Sequence, residues 1–214
     1  MVKTIITEDV RKYKPSILKE VCEPCKSVEE GEKIAVDLLN TLTECNSGIG
    51  LAANQIGINK RVCVVHMPKR EPLVFINPVI VSKEQEMSGI PEGCLSFPGE
   101  GVNTTRYQLI TIEADNWEEK VVLGPTSDDK EEASNELWES ISAQHEIDHL
   151  DGITMFDREF KQEPIKRGVN APLKVGRNVK IEVTNGTETK TVKWKKAEPM
   201  LSEGWSVVEE SINV

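Results

Sequence analysis

The spacing of apolar residues between positions 27 and 45 indicates a helix. Apolar side chains recur there at steps of four, four and three, which places them on one helical face. These residues are Ile34, Leu38, Leu42 and Cys45. Ser27 and Glu30 have the spacing of a capping box, which satisfies two backbone N–H groups of the first turn. The sequence therefore predicts a helix that begins after Ser27 and ends at the Asn46-Ser47-Gly48 turn.

A second helix is expected from about 135 to 150. The preceding segment, 124–135, is polar and is expected to form a loop or the solvated start of this helix. One face of the helix combines apolar and imidazole side chains, namely those of Trp138, Ile141, His145 and His149. This helix is therefore the first place to look for chemistry.

Three stretches rich in β-branched residues predict strands at 61–67, 72–81 and 108–115. The third alternates apolar and polar positions, as a half-buried strand does. Pro78 lies inside the second stretch. Because proline cannot donate to a strand ladder, it indicates an edge or a bend there.

The composition changes near residue 158. Residues 158–196 carry eleven basic and four acidic side chains, a net charge of +7. Because the whole chain has a net charge of −10, the rest of the chain carries −17. Within this segment, 179–184 and 189–194 flank Asn185-Gly186, which is a strong hairpin signal. We expect a catalytic domain at 1–160 and a basic extension at 161–214 with a β-hairpin.

The overall charge and the cysteine count narrow the class of protein. A formal net charge of −10 argues against a generic nucleic-acid-binding surface. No apolar run approaches the roughly 20 residues that cross a bilayer, and acidic residues follow the N-terminus too soon for a secretory signal. Five cysteines are an odd number, which disfavours a disulfide framework. The expected compartment is therefore the reducing cytoplasm.

The sharpest motif is His145-Glu146-Ile147-Asp148-His149. Residues i and i+4 of a helix lie on the same side, so the two imidazoles can reach one metal ion, with Glu146 beside them as a base for water. The alternative to a metal site is an ordinary solvent-exposed helix face. The chain has only three histidines, and two of them fall in this pattern.

Two histidines leave a metal site incomplete, so a third ligand is needed. His66 lies in a predicted strand, and we interpret it as an ordinary strand residue rather than a ligand. Cys94 lies in Pro91-Glu92-Gly93-Cys94-Leu95-Ser96-Phe97-Pro98-Gly99, where glycines and prolines hold the backbone in an unusual course. By itself, Cys94 is more often a buried small apolar side chain than a ligand.

A third segment, Gly48-Ile49-Gly50-Leu51-Ala52-Ala53-Asn54-Gln55, joins small residues to one neutral amide. It lacks the lysine of a phosphate-binding loop and follows a helix rather than a strand, so it is a poor nucleotide fingerprint. Together, Gly48–Gln55, Glu92–Ser96 and Gln144–Leu150 resemble the three signature motifs of the peptide deformylases, in that family's order. The resemblance covers roughly residues 13–160.

The resemblance implies one divalent metal ion held by Cys94, His145 and His149. Fe²⁺ is the ion expected in the cell, and Zn²⁺, Ni²⁺ or Co²⁺ could take its place. Three protein ligands leave the fourth position to water, as catalysis requires. Glu146 would act as general base and then as general acid for the departing amine.

The implied reaction removes the N-formyl group from formylmethionyl peptides. The resemblance assigns stabilisation of the oxyanion to the side-chain amide of Gln55, the backbone N–H of Leu95 and the metal. The backbone of Ile49 and Gly50 would pair with the peptide as an added strand.

The methionine pocket, by the same resemblance, is lined by Ile49, Ile90, Trp138, Ile141 and His145. Glu92 resembles the family carboxylate that ion-pairs an arginine, for which Arg106 is the natural partner. The sequence departs from the family at Trp138 and at Gly101, where an arginine is often found. These departures affect peptide preference rather than the metal chemistry.

The implied fold is α+β, with mixed or antiparallel sheets around a central helix that carries the metal ligands. The expected partners are the formylmethionyl peptide and, through the basic extension, the ribosome; no membrane or specific DNA is expected, and the protein is expected to be a monomer. Two alternatives stay open: a metallopeptidase of the H-E-x-x-H type, whose third ligand is not Cys94, and an inactive deformylase-like module that binds peptides.

Overall fold

The computed structural model describes residues 1–9, 16–45, 48–160 and 178–208. The chain divides into two compact units, Met1–Lys161 and Gln162–Val214. Five of the eleven basic residues of the 158–196 segment lie outside the described residues: Lys161, Lys166, Arg167, Lys174 and Arg177. Within the described part of the chain, no helix is both long and apolar enough to cross a membrane.

The first predicted helix is present as α1, Val28–Glu44. The Ser27 hydroxyl accepts a hydrogen bond from the Glu30 N–H at 3.2 Å. The Glu30 carboxylate accepts from the N–H of Lys26 at 2.6 Å, one residue before the partner of an ideal capping box. On the predicted face, Leu38 and Leu42 are buried, and the residues at both ends of the face are half-buried.

The first unit contains two antiparallel sheets of three strands each. The first sheet has β1 (Gly50–Ala52), β2 (Val62–Val65) and β3 (Leu73–Ile76), in the order β1-β2-β3. The second has β4 (Val79–Gly93), β5 (Gly101–Glu113) and β6 (Val121–Leu123), in the order β4-β5-β6. Within the described residues, β1 is an edge strand.

The prediction of a single strand over 72–81 is wrong, because β3 and β4 are separate strands in different sheets. The break falls at Asn77, whose φ of 52° is left-handed, and at Pro78, which cannot donate to a ladder. The side-chain oxygen of Asn77 accepts from the N–H of Cys25 at 2.7 Å and holds the bend. The expected bend at Pro78 is therefore confirmed.

The second predicted helix is α2, Lys130–Leu150, which begins five residues earlier than expected. The cause is Asp129, whose carboxylate accepts from the N–H groups of Glu131 and Glu132 at 3.0 and 2.9 Å and caps the helix. Every residue from Glu139 to Leu150 is buried. The inner half of α2 therefore lies in the centre of the unit, packed against β1, β2 and β5.

The second unit contains the predicted hairpin. Strands β7 (Lys180–Thr184) and β8 (Thr189–Lys193) pair across a turn at Gly186, whose φ is 87°. Strand β9 (Ser206–Val207) adds to β7, and helix α3 (Trp194–Ser202) completes the unit. Among the described residues of this unit, Ile181, Val183, Trp194 and Ala197 are buried. The α+β fold class is confirmed, and all pairings between named strands are antiparallel.

Candidate active site

A cleft of about 650 Å³ opens beside the inner half of α2. Its walls are the edge strand β1 with the residues before it, the end of β4 with the loop that follows, and α2. The residues of the three sequence motifs that line it are Gly48, Ile49, Gly50, Gln55, Glu92, Gly93, Cys94, Leu95, His145 and Glu146. The tertiary structure thus brings segments separated by about 100 residues to one cavity.

Cys94, His145 and His149 form a cluster with the spacing of a metal site. One ligand atom from each lies within 4.8 Å of the others. The Cys94 sulfur is 3.2 Å from Nε2 of His149. Cys94 is partly exposed, whereas the two histidines are buried on α2. One thiolate and two imidazoles are a donor set that suits Fe²⁺, Zn²⁺ and related ions, so these residues fit a metal ion.

The orientation of the His145 ring is fixed by Glu92, a contact that the sequence did not reveal. Nδ1 of His145 lies 2.7 Å from Oε2 of Glu92. A carboxylate on one ring nitrogen leaves the other free to act as a ligand, which is the usual arrangement around metal-binding histidines. Burial by itself would raise the pKa of Glu92, but hydrogen bonds from His145 and Arg106 outweigh it and hold the pKa at about 2.

Arg106 pairs with Glu92, as the sequence suggested, and also with a carboxylate inside the histidine motif. Its Nε and one terminal nitrogen donate to the two oxygens of Glu92 at 2.6 and 3.0 Å. Its other terminal nitrogen donates to Asp148 at 2.5 Å, and Asp148 also accepts two hydrogen bonds from Arg158. Sequence reasoning missed Asp148. The available signal was an acid on a helix face that the histidines already marked as buried.

Glu146 is buried between the metal-ligand cluster and β1. Its Oε2 has no hydrogen-bond partner among the described residues. Burial raises its pKa to about 7. A carboxylate with a pKa near neutrality can both accept and release a proton.

The side-chain amide of Gln55 is held from both ends. Its Oε1 accepts from the N–H of Ala52 at 2.8 Å, and its Nε2 donates to the Ser96 hydroxyl at 3.2 Å. Nε2 also lies 3.6 Å from the Cys94 sulfur. The Gln55 carbonyl accepts from the N–H of Ile6 at 2.7 Å, so the N-terminal segment braces this turn. These contacts direct the NH₂ group of Gln55 towards the thiol.

Most of the predicted substrate-contacting residues lie on the cleft. Ile49, Gly50, Trp138 and Ile141 all line it. Ile90 lies on β4 opposite Thr104 and is not among the lining residues, whereas Pro91 and Glu92, which follow it, are.

Trp138 lies on a part of α2 that hydrogen bonds from neighbouring segments hold in place. Arg70 donates to the buried Glu139 at 2.7 Å and also contacts Glu132. Glu136 accepts from the N–H groups of Thr126 and Ser127, at 2.6 and 3.0 Å. These contacts fix the helical segment that carries Trp138.

Cys22, Cys25 and the third histidine make contacts that stabilise the fold. Cys22 and Cys25 are buried free thiols, and burial raises the pKa of Cys22 to about 11. The N–H of Cys22 donates to the Leu150 carbonyl at 2.8 Å, which ties this loop to the end of α2. The N–H of His66 donates to the carbonyl of Ile49 at 2.8 Å and prolongs the β1–β2 pairing.

Comparison with known proteins places the chain in a family. Residues 7–164 match the model of the polypeptide deformylase family. The peptide deformylase of Desulforudis audaxviator is 39% identical over 150 residues, which are 68% of this chain and 89% of that protein.

Two crystal structures have the same architecture. The peptide deformylase of Thermotoga maritima superposes with a TM-score of 0.59 at 26% identity, covering 75% of this chain and 99% of the other. The Met-Ala-Ser-bound class I type b peptide deformylase of Acinetobacter baumannii gives 0.58 at 25%, covering 74% and 98%. The chain therefore belongs to the polypeptide deformylase family, metal-dependent hydrolases that act on formylated peptides.

Proposed function

We propose that this enzyme hydrolyses the N-formyl group of formylmethionyl peptides, with Cys94, His145 and His149 as the ligands of one divalent ion. The observation that carries the proposal is the convergence of these three donors beside the buried Glu146 and the amide of Gln55. Fe²⁺ is the proposed ion in the cell, as the family resemblance implies; a thiolate and two imidazoles also suit Zn²⁺, Ni²⁺ and Co²⁺.

The side chains that surround the three ligands also suit a metal site. Glu92 occupies Nδ1 of His145 and leaves Nε2 for coordination. Burial lowers the pKa of His149 well below its ordinary value, so this ring is neutral and its lone pair is available. A divalent ion at such a site supplies an acidic water and polarises a carbonyl oxygen.

Glu146 is the proposed proton carrier. Its carboxylate would accept a proton from water and then deliver it to the nitrogen of the departing peptide amine, so that formate and a free amino terminus result. The pKa of about 7 supports both halves of this role.

Gln55 and Leu95 are the proposed stabilisers of the oxyanion. Oε1 of Gln55 is held by the N–H of Ala52, so its NH₂ group cannot turn away from Cys94. Leu95 follows Cys94 directly and lines the cleft, which supports the proposed role of its backbone N–H. Fixed donors of this kind contribute about 3 kcal/mol each to lowering a barrier.

The edge strand β1 supports binding of the peptide as an added strand. Its open edge borders the cleft at Gly50. Because the Ile49 carbonyl already accepts from the N–H of His66, we expect an added strand to pair chiefly with the backbone of Gly50, beside Ile49. Ile141 and Trp138 supply apolar surface for the methionine side chain. The related Acinetobacter enzyme was crystallised with Met-Ala-Ser, a peptide of the class that deformylation would release.

The test uses Glu146→Ala and Cys94→Ala, assayed on formyl-Met-Ala with and without added metal, together with elemental analysis of protein purified without oxygen. We expect both variants to lose activity, and only Cys94→Ala to lose metal as well. Normal activity of either variant would overturn the proposed roles. Cleavage of internal peptide bonds with Cys94→Ala still active would favour the alternative of a metallopeptidase.

We also propose a partner for the second unit, namely ribosomal RNA at the place where formylated chains emerge. Lys180 and Lys193 are directly opposite in the β7–β8 register, and Lys195 and Lys196 follow in the first turn of α3. All four side chains are exposed, and such a cluster attracts phosphate. Ribosome co-sedimentation that is unchanged when Lys193, Lys195 and Lys196 are replaced by glutamate would end this proposal.

The proposed compartment is the cytoplasm, and the proposed state is a monomer. The five free cysteines, Cys94 among them, support a reducing compartment, since an oxidised thiol could not serve as a ligand. Sedimentation equilibrium of the purified protein tests the oligomeric state.

A further inference from the structure

Four buried side chains form a closed circuit between α2 and the β4–β5 hairpin. Nδ1 of His145 contacts Glu92 at 2.7 Å, Glu92 accepts two bonds from Arg106, and Arg106 donates to Asp148 at 2.5 Å. Asp148 lies on α2, three residues after His145, so the circuit returns to the helix on which it began. Each of the four residues is less than 9% exposed.

The circuit fixes the guanidinium plane of Arg106 at three nitrogens. Nε and one terminal nitrogen are used by Glu92, and the other terminal nitrogen is used by Asp148. A planar guanidinium bound on both sides cannot rotate without breaking at least one charge-assisted hydrogen bond. If Asp148 lost its charge, Arg106 would keep one carboxylate and become free to tilt.

Arg158 completes the charge balance. It donates to both oxygens of Asp148, at 2.9 and 2.7 Å. Glu92 and Asp148 then face Arg106 and Arg158, two negative charges against two positive. Without Arg158, two buried carboxylates would share one arginine, and buried charges without partners are costly. The side chain of Arg158 is 37% exposed, so it links the buried circuit to the surface.

The two histidines of the cluster differ in this support. Glu92 holds His145 through Nδ1, whereas Nδ1 of His149 has no hydrogen-bond partner among the described residues. His145 is therefore the ring whose orientation the surrounding protein sets. Groups that hold a ligand in this way commonly change metal affinity by 10–100-fold.

We propose that Asp148 is a positioning residue for the reaction, which acts with Arg158 through Arg106 and Glu92 to hold the His145 ring with Nε2 towards the metal site. This inference rests on the proposed role of His145 as a ligand. It assigns Asp148 a function within the histidine motif, distinct from the proton transfer by Glu146.

The first test follows the Nδ1 proton of His145 in the Zn²⁺-loaded protein by ¹⁵N–¹H NMR. The chain has three histidines, so ring signals can be assigned with a His145→Gln variant. We expect this proton to exchange slowly with water in the unaltered protein and at least tenfold faster in Asp148→Asn. A matched control is Asp151→Asn, which removes another carboxylate–arginine pair from the end of α2; it should leave the exchange rate unchanged.

The second test measures the loss of Zn²⁺ to a chelator and the steady-state kinetics. For Asp148→Asn we expect metal loss to be at least tenfold faster and kcat to fall while KM changes little. Arg158→Met should shift both quantities in the same direction by a smaller factor. This variant alters a partly exposed side chain, so it keeps the inference testable if Asp148→Asn does not fold.

The outcomes separate the inference from the proposed function. If the unaltered protein binds no Zn²⁺, the proposed function fails. If it binds Zn²⁺ but Asp148→Asn and Arg158→Met match it in proton exchange and metal loss, the positioning role is overturned. A lower unfolding temperature with unchanged exchange and metal loss would likewise overturn it, because that result describes a purely structural ion pair.

Discussion

Gly50 lies directly against the carboxylate of Glu146. A Cβ on residue 50 would stand 2.5 Å from Oε1 of Glu146 and 2.8 Å from its Cγ. Glycine is needed at position 50 because the side chain of Glu146 leaves no room for a Cβ. The proposed proton carrier and the proposed peptide-binding strand are therefore in contact, and a change in one displaces the other.

Replacing Gly50 by alanine should impair catalysis more than folding. The methyl group would push the Glu146 carboxylate aside, and a misplacement of about 1 Å commonly costs about 100-fold in rate. We expect a loss of this size in kcat/KM for formyl-Met-Ala, with a thermal midpoint close to that of the unaltered protein. Gly101→Ala is the control, since its Cβ would have its nearest neighbour at 3.4 Å, an ordinary contact. Equal activity of the two variants would contradict the argument.

Replacing Gln55 by methionine should lower kcat and leave KM nearly unchanged. Methionine has a similar length but cannot donate to an oxyanion, so the expected loss in kcat is about 10²–10³. Ser96→Ala removes only the hydroxyl that accepts from Gln55 and should cost less than tenfold. A larger effect from Ser96→Ala than from Gln55→Met would show that the amide is not the important donor.

Trp138→Leu should widen the preference for the first side chain of the peptide. Trp138 lines the cleft, and removing its indole leaves room for a longer or aromatic side chain. We expect kcat/KM for formyl-Phe-Ala relative to formyl-Met-Ala to rise about tenfold, the scale on which apolar pockets discriminate. Trp117→Leu, which alters a tryptophan packed on Phe75, should leave the ratio unchanged.

Asp157→Asn should destabilise the fold at neutral pH but not in acid. Burial would raise the pKa of Asp157, but bonds from Lys19 and Thr154 outweigh it and lower the pKa below its ordinary 3.8. A lowered pKa means that the ionised form favours the folded state. This stabilisation is complete above the unfolded pKa and is lost as the pH falls through the folded one.

The measurement is urea unfolding of Asp157→Asn and the unaltered protein between pH 7 and pH 3. Because the Asp157 side chain is 48% exposed, the difference at pH 7 should be no more than about 1 kcal/mol. The two curves should converge towards pH 3, and Lys19→Met should behave similarly. A constant difference across this range would rule out the ionised Asp157 as its source.

The buried cysteines should resist alkylation. Burial raises the pKa of Cys22 to about 11 and that of Cys63 well above its ordinary value. At pH 8 the thiolate of Cys22 is then on the order of one part in a thousand, and only the thiolate reacts quickly. In metal-free protein treated with iodoacetamide, mass spectrometry should find Cys45 and Cys94 modified first, and modification of Cys22 should accelerate with pH up to about 11. Rapid labelling of Cys22 at pH 8 would contradict this environment.

The sequence by itself determined the features that depend on neighbouring residues. The four-residue spacing of His145 and His149 places both rings on one side of any helix, and Asn185-Gly186 specifies a tight turn wherever it occurs. The three motifs likewise identified the family, because each is a short run whose residues act close together. Local steric and hydrogen-bonding preferences are sufficient for such predictions.

Only the tertiary structure decided how distant residues meet. Glu92 is opposite Val102 in the β4–β5 register, yet its side chain reaches Arg106 four residues further along β5 and His145 on α2. The tertiary structure also brings Gly50 against Glu146 and directs Asp148 towards two arginines. These contacts depend on strand register and on burial around α2. Both are set by the free energy of the whole unit, so no short segment of the sequence encodes them.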